Sequence, residues 1–169
     1  MIRPILRYSN DVLHQRADEV RDITTEINKI IEDMIETMYG ATGVGLAAPQ
    51  IGVPLQIFVA DLSAGRNLND LIVMINPELV ERDGLQQEEE GCLSIPGFNT
   101  TVPRPARVVV RGLGRDGVGH ELDGSGLLAQ VFQHELDHLA GIMFLDRLRG
   151  IKREIIIKKI NKLKQTDKW

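Results

Sequence analysis

The chain predicts an α+β fold: small antiparallel or mixed β-sheets around a central helix, with an N-terminal helix before them and a C-terminal amphipathic helix after them. Three observations carry that expectation. Short β-type runs succeed one another through the middle of the chain with no helix between them, which argues against a doubly wound sheet. Strongly periodic helical stretches stand at either side. A further helical stretch near residue 130 holds His134-Glu135-Leu136-Asp137-His138 among apolar neighbours.

Residues 24–39 form the first helix. Ile27, Ile30, Ile31, Met34, Ile35 and Met38 recur at helical spacing, Thr24 or Thr25 caps the start, and Gly40 ends it. A turn-rich segment follows from Gly43 to Gly52. Strands are expected at Gln56 to Ala60, Leu71 to Ile75, Ala106 to Val110 and Gly119 to Leu122, with turns at Asn76-Pro77 and Asp83-Gly84. Leu127 to Leu139 is a helix with Leu128, Val131, Phe132, Leu136 and Leu139 as its apolar positions, stopped by Gly141. The last helix sets Ile151, Ile155, Ile156, Ile157, Ile160 and Leu163 among lysines.

With 169 residues, 43% hydrophobic and 26% charged, the chain suits one domain spanning 1–169 with a real core. No apolar run approaches the ~20 residues of a membrane span. The N-terminus shows neither a signal-peptide core nor a Ser- and Arg-rich transit pattern, so the expected location is the cytoplasm, with neither membrane nor DNA as partner. The net charge of −4 is uneven: residues 146–169 carry nine Lys/Arg against three Asp/Glu. This basic tail is either a solvated helix face or a contact for an anionic surface such as RNA. The single cysteine, Cys92, excludes an intramolecular disulfide and leaves three options: a buried small residue, a nucleophile or a metal ligand.

The most informative stretch is His134 to His138. Histidines four apart on a helix stack on one face, with Cβ atoms roughly 5–6 Å apart, and can grip one metal ion. Glu135 points about 100° round the helix, where it can act on a water without becoming a ligand. Two ligands and a general base thus lie within five residues. Catalytic metal sites commonly have three protein ligands and an open position. Cys92, His14, His120 and many carboxylates are candidates for the third. Cys92 sits in Glu90-Gly91-Cys92-Leu93-Ser94-Ile95-Pro96-Gly97, whose glycines and proline suggest a shaped loop. His14 and His120 have no partner motif and are read as non-catalytic.

Three segments together give a more specific reading. Gly43 to Gln50 reads G-x-G-L-A-A-x-Q, Glu90 to Ser94 reads E-G-C-L-S, and Gln133 to His138 reads Q-H-E-x-D-H. In this order, the chain resembles the peptide deformylases over nearly its whole length. The resemblance implies an enzyme that hydrolyses the N-formyl group from the formyl-methionine of nascent bacterial polypeptides, releasing formate. It implies Cys92, His134 and His138 as ligands of one divalent metal, Fe2+ first and Ni2+, Co2+ or Zn2+ as substitutes. Glu135 becomes the general base and acid; the Gln50 amide and the Leu93 backbone N–H become oxyanion donors. The peptide is expected to lie extended beside Val44, Gly45 and Leu46. Leu127, Gln130 and Val131 are expected to line a methionine pocket near Glu88, and Arg104 to orient the peptide. Gln133 and Asp137 flank the ligands as possible hydrogen-bond partners. The basic tail could bring such an enzyme to the ribosome.

Three rivals have distinct signatures. An H-E-x-x-H metallopeptidase of the extended type needs a histidine at position 144, which is Phe144. A thiol hydrolase with Cys92 as nucleophile leaves the histidine spacing unexplained. A metal-stabilised ribosome- or RNA-binding module needs a closed, four-ligand site.

Overall fold

A computed structural model describes all residues, 1–169. The fold is α+β, with ten main elements in the order α1 (Thr25–Gly40), β1 (Gly45–Ala47), β2 (Ile57–Ala60), β3 (Ile72–Asp83), β4 (Gln86–Cys92), β5 (Ile95–Arg104), β6 (Arg107–Leu113), β7 (Gly119–Ser125), α2 (Leu127–Leu139) and α3 (Ile151–Gln165). A five-stranded sheet has the order β1-β2-β3-β6-β7, and β4 pairs with β5 in a second sheet. Every strand pair is antiparallel; the one parallel pairing is an isolated bridge between Asp18 and Leu55. No helix is long and apolar enough to cross a membrane.

α1 begins where expected: the Thr24 hydroxyl accepts from the Ile27 N–H at 3.2 Å, capping one of the helix's free donors. Its face of Ile31, Met34, Ile35 and Met38 packs with Ile57, Val59 and Ile75 on one side of the larger sheet. α2 covers the other side, where Ala129, Val131, Phe132 and Leu139 meet Phe58, Met74, Val108 and Val110. Gly141, in the left-handed region, stops α2.

The middle of the chain departs from the expected strands and turns. β3 runs through Asn76-Pro77 with only a register shift between Ile75 and Glu78. Asn76 takes a positive φ there, and its side-chain amide bonds to both the N–H and the C=O of Val20, which holds the irregularity in place. Asp83-Gly84 is a bend rather than a hairpin turn. Asp83 pairs with Arg107 on one side of it and Gln86 with Arg104 on the other. β3–β4 and β5–β6 thus form one two-stranded ribbon that folds over α2, and the segment around Cys92 is the tip of a sheet rather than a loop. Gly84 has φ +70°, and a Cβ there would stand 3.2 Å from the Ala106 Cβ, so both sides of the bend must be small.

α3 buries only Ile156 and Ile160, against a third cluster with Leu13, Ile95, Val102 and Phe144. Ile151 and Ile155 remain exposed, so the apolar face is narrower in use than the sequence suggests. The N-terminal arm ties the parts together: Leu6 donates to Gln50 O, Tyr8 to Ser94 O and Ala17 to Leu139 O.

Candidate metal and catalytic site

α2 presents His134 and His138 toward the folded-over ribbon, and the ribbon tip presents Cys92 to them. The two Nε2 atoms are 3.2 Å apart, and Cys92 Sγ is 3.4 Å from His138 Nε2. One donor atom from each of the three residues lies within 4.8 Å of the others. Both histidines are buried. On His134, burial opposes a charge, yet the Cys92 sulfur and the Glu90 carboxylate raise its pKa well above the ordinary value. On His138, burial and then the facing His134 and Arg104 push the pKa well below it. Thiolate and imidazole donors of this kind suit zinc, iron or cobalt, so the residues fit a transition-metal ion.

Glu90 is a site residue that the sequence reading left out. Its Oε1 is 2.9 Å from His134 Nδ1 and accepts that N–H, which directs the Nε2 lone pair toward the cluster. Burial works to raise Glu90, but hydrogen bonds from Arg104 and His134 hold its carboxyl below the usual range. The available signal was its place in the cysteine motif, two residues from Cys92 on the same face of β4.

Glu135 is also buried, and its Oε2 has no hydrogen-bond partner. Burial pushes its carboxyl up to about 7. It lies against Gly45: a Cβ at that position would be 2.5 Å from Glu135 Oε1. Gln50 is 1% exposed. Its Oε1 accepts the Ala47 N–H at 2.9 Å, and its Nε2 donates to Ser94 Oγ at 3.1 Å, with Cys92 Sγ at 3.7 Å. Ser94, a motif residue to which the sequence assigned no role, thereby anchors the Gln50 amide near Cys92. Leu93 opens the two-residue connection between Cys92 and Ile95, a position whose N–H is not used by the turn's own hydrogen bond.

These groups border one cleft of about 470 Å³. Gly43-Val44-Gly45 forms one wall, the β4–β5 tip the other, and α2 the floor. Leu127, Gln130 and Val131 all line it, and Gln130 Nε2 is anchored on Glu89 O at 2.9 Å. Three expected residues lie elsewhere. The Leu46 side chain points into the core beneath α1, and Leu46 does not line the cleft. Arg104 is 3% exposed and turned away, its guanidinium committed to Glu90 and Asp137. It cannot reach a peptide without breaking both ion pairs, which corrects its expected orienting role. Glu89, not Glu88, lines the cleft. Gln133 bonds the carbonyls of Pro105 and Ala129 and tethers α2 to the ribbon bend rather than to a ligand. His14 bonds Tyr8 O and His120 is half-exposed beside Asp116, both outside the cleft.

The chain matches known proteins over nearly its whole length. The sequence profile of the polypeptide deformylase family matches residues 2–154. A peptide deformylase from Acidobacterium capsulatum is 45% identical over 169 residues, covering 100% of this chain and 99% of its own. The crystal structure of a peptide deformylase from Legionella pneumophila superposes with a TM-score of 0.93 at 42% identity, covering 99% of this chain and 98% of that one. A peptide deformylase from Synechococcus elongatus in complex with actinonin has a TM-score of 0.88 at 38% identity, covering 96% and 89% of the two chains. The chain belongs to the polypeptide deformylase family.

Proposed function

We propose that the chain, as one catalytic unit spanning residues 1–169, uses a divalent metal to hydrolyse the N-formyl group of N-formylmethionyl peptides. The products are formate and a free amino terminus, and the setting is the bacterial cytoplasm. The observation that carries this reading is the meeting of Cys92, His134 and His138 in one cluster, with Cys92, His134 and Glu135 lining the same cleft and Glu135 Oε2 free of any hydrogen bond. Cys92, His134 and His138 would hold the ion, with Fe2+ as our first choice and Ni2+, Co2+ or Zn2+ as substitutes. When bound, it supplies Lewis acidity and lowers the pKa of a water toward about 7.

The chain's own groups do the rest. Glu135 takes a proton from the attacking water and passes it to the departing amine nitrogen, a task that suits a carboxyl raised by burial. The Gln50 amide and the Leu93 N–H donate to the oxygen that becomes negative as the formyl carbon turns tetrahedral. One such donor is worth about 3–4 kcal/mol in the transition state.

β1 is an edge strand of the larger sheet. Val44 O accepts from Asp61 N, so by strand alternation Gly45 turns its N–H and C=O to the open side. An extended peptide adds there through main-chain bonds that ignore its sequence. Leu127, Gln130 and Val131 take the methionine side chain.

The test is anaerobic purification, metal analysis and a formate-release assay on formyl-Met-Ala-Ser. Glu135→Gln keeps the metal and loses about 10²–10⁴ in turnover. Full turnover in metal-stripped protein, or cleavage of internal bonds without formate, refutes the reading.

The basic tail, residues 146–169, would hold the enzyme to the anionic ribosome. Lys158, Lys159 and Lys162 are exposed on α3. Their triple replacement by Glu should abolish low-salt co-sedimentation with ribosomes and leave small-peptide turnover intact; unchanged pelleting refutes this role.

A further inference from the structure

Asp137 stands on α2 between the two proposed ligand histidines, and the proposed reaction makes no use of it. Its carboxylate is gripped from outside by Arg147, which lies in the short 3-10 turn Phe144–Arg147 that follows α2. Arg147 Nε donates to Oδ2 at 2.5 Å and Nη2 to Oδ1 at 2.6 Å, a two-pronged fork. The same Oδ2 accepts from Arg104 Nη1 at 3.0 Å. Arg104 spends its other donors on Glu90, through Nε and through Nη2 at 2.8 Å. Glu90 in turn accepts the His134 Nδ1–H. Four charged side chains of alternating sign thus run from the surface to one imidazole.

The inner members are buried, and each is bonded to its neighbours in the run. Arg104 is bonded to two carboxylates, and apart from Arg104 itself the outer one, Asp137, is held by the Arg147 fork. Behind α2 lies a cavity of about 320 Å³ lined by Asp137, Arg147, Gln133 and Pro105. A released Asp137 has room to swing into it. That would leave a buried, charged Arg104 donor without an acceptor, a strongly unfavourable state. Arg104 would shift to recover a partner, and Glu90 and His134 would follow. The flat fork matters: a lysine carries the charge but not the two parallel bonds.

We propose that Arg147 is a positioning residue for His134, acting through Asp137, Arg104 and Glu90. The proposal rests on reading His134 as a metal ligand. If Arg147 made only an ordinary surface ion pair, its removal would shift stability slightly and leave His134 untouched.

The test compares wild type, Arg147→Met and Arg147→Lys as zinc-loaded proteins. The primary readout is hydrogen exchange of the His134 Nδ1 proton, followed by NMR in ¹⁵N-labelled protein; kcat, KM and Tm are measured alongside. Outer partners of a ligand histidine are commonly worth 10–100-fold, so one link further out we expect about tenfold faster exchange and about tenfold lower kcat in Arg147→Met, with KM unchanged. Arg147→Lys should recover only part of both. An Arg147→Met protein with a lowered Tm but wild-type exchange and kcat overturns the proposal, as does one with no change at all. Wild type that takes up no zinc at Cys92, His134 and His138 overturns the metal reading itself.

Discussion

Gly45→Ala is the sharpest perturbation that the geometry offers. The new methyl must occupy space that the Glu135 carboxylate now fills: a Cβ would stand 2.5 Å from Oε1, 3.1 Å from Cδ and 3.2 Å from Val131 Cγ1. Ordinary contact begins at 3.4 Å, so the carboxylate must retreat by about 0.9 Å. Two features keep the cost to folding small. Gly45 is not among the residues with positive φ, so alanine fits the backbone and removes some unfolded-state freedom. Glu135 Oε2 has no hydrogen-bond partner to lose as it moves.

Catalysis has no such tolerance, because a reacting group misplaced by 1 Å can cost about 10²-fold. We therefore expect kcat to fall by about a hundredfold, with metal content retained and Tm changed by only a few degrees. Steady-state formate release, metal analysis and calorimetry on the same preparation check all three. Turnover within about threefold of wild type in a folded, metal-loaded variant would refute the reasoning, since the displacement is far larger than a reacting pair tolerates.

Two further predictions concern buried charge. Arg104→Met leaves Glu90 and Asp137 buried without their shared cation. Breaking such a pair costs about 3–5 kcal/mol, a Tm loss of about 6–20 °C for a chain of this size, and Glu90→Gln added to it should restore part of that loss; calorimetry showing no recovery in the double variant would contradict the pairing argument. Tyr39 donates to Asp61 Oδ2 at 2.6 Å, and burial followed by this bond pushes its phenol up to about 12. The folded pKa thus lies above the unfolded value of about 10, so the contribution is complete below that pH and is lost as pH rises toward 12. Urea unfolding across this window should show a decline in wild type that Tyr39→Phe lacks, and parallel curves would overturn it.

Helices were legible because 3.6-residue periodicity is a local signal. α1 and α2 fall within a residue of their expected bounds, with Thr24 and Gly141 as the punctuation. The second sheet was not legible. β4 contains Gln86-Gln87-Glu88-Glu89-Glu90, which offers no apolar alternation because most of its side chains face solvent rather than a core. What makes it a strand is its partner β5, and that pairing is fixed by the ribbon rather than by either segment's composition. The side-chain directions of Leu46 and Arg104 escaped the sequence for a related reason. A motif shows that a segment approaches the cleft, but the strand's two-fold alternation decides which side chains face it. On β1 that alternation sends Leu46 into the core, and at the end of β5 it turns Arg104 under α2.

The proposed third ligand, Cys92, shows where local reading stops. His134 and His138 are joined by helix geometry alone, whereas Cys92 is 46 residues from His138 and reaches it only because the ribbon folds. The fold of the ribbon turns on Asp83-Gly84-Leu85 against Pro105-Ala106, where a Cβ at Gly84 would stand 3.2 Å from the Ala106 methyl. A larger side chain at position 84 would press the two strands of the bend apart and carry Cys92 away from α2. The position of the sulfur is therefore set by small residues far from it in sequence. The charged groups at the site then act on an approach already made: Glu90 arrives on the same strand as Cys92, and Arg104 arrives on its partner β5. The strand that delivers the Cys92 sulfur also delivers the carboxylate that aims His134. Elements that carry no ligand themselves thus determine whether the three donors converge, and the His134–His138 spacing supplies only the half of the site that one helix can encode.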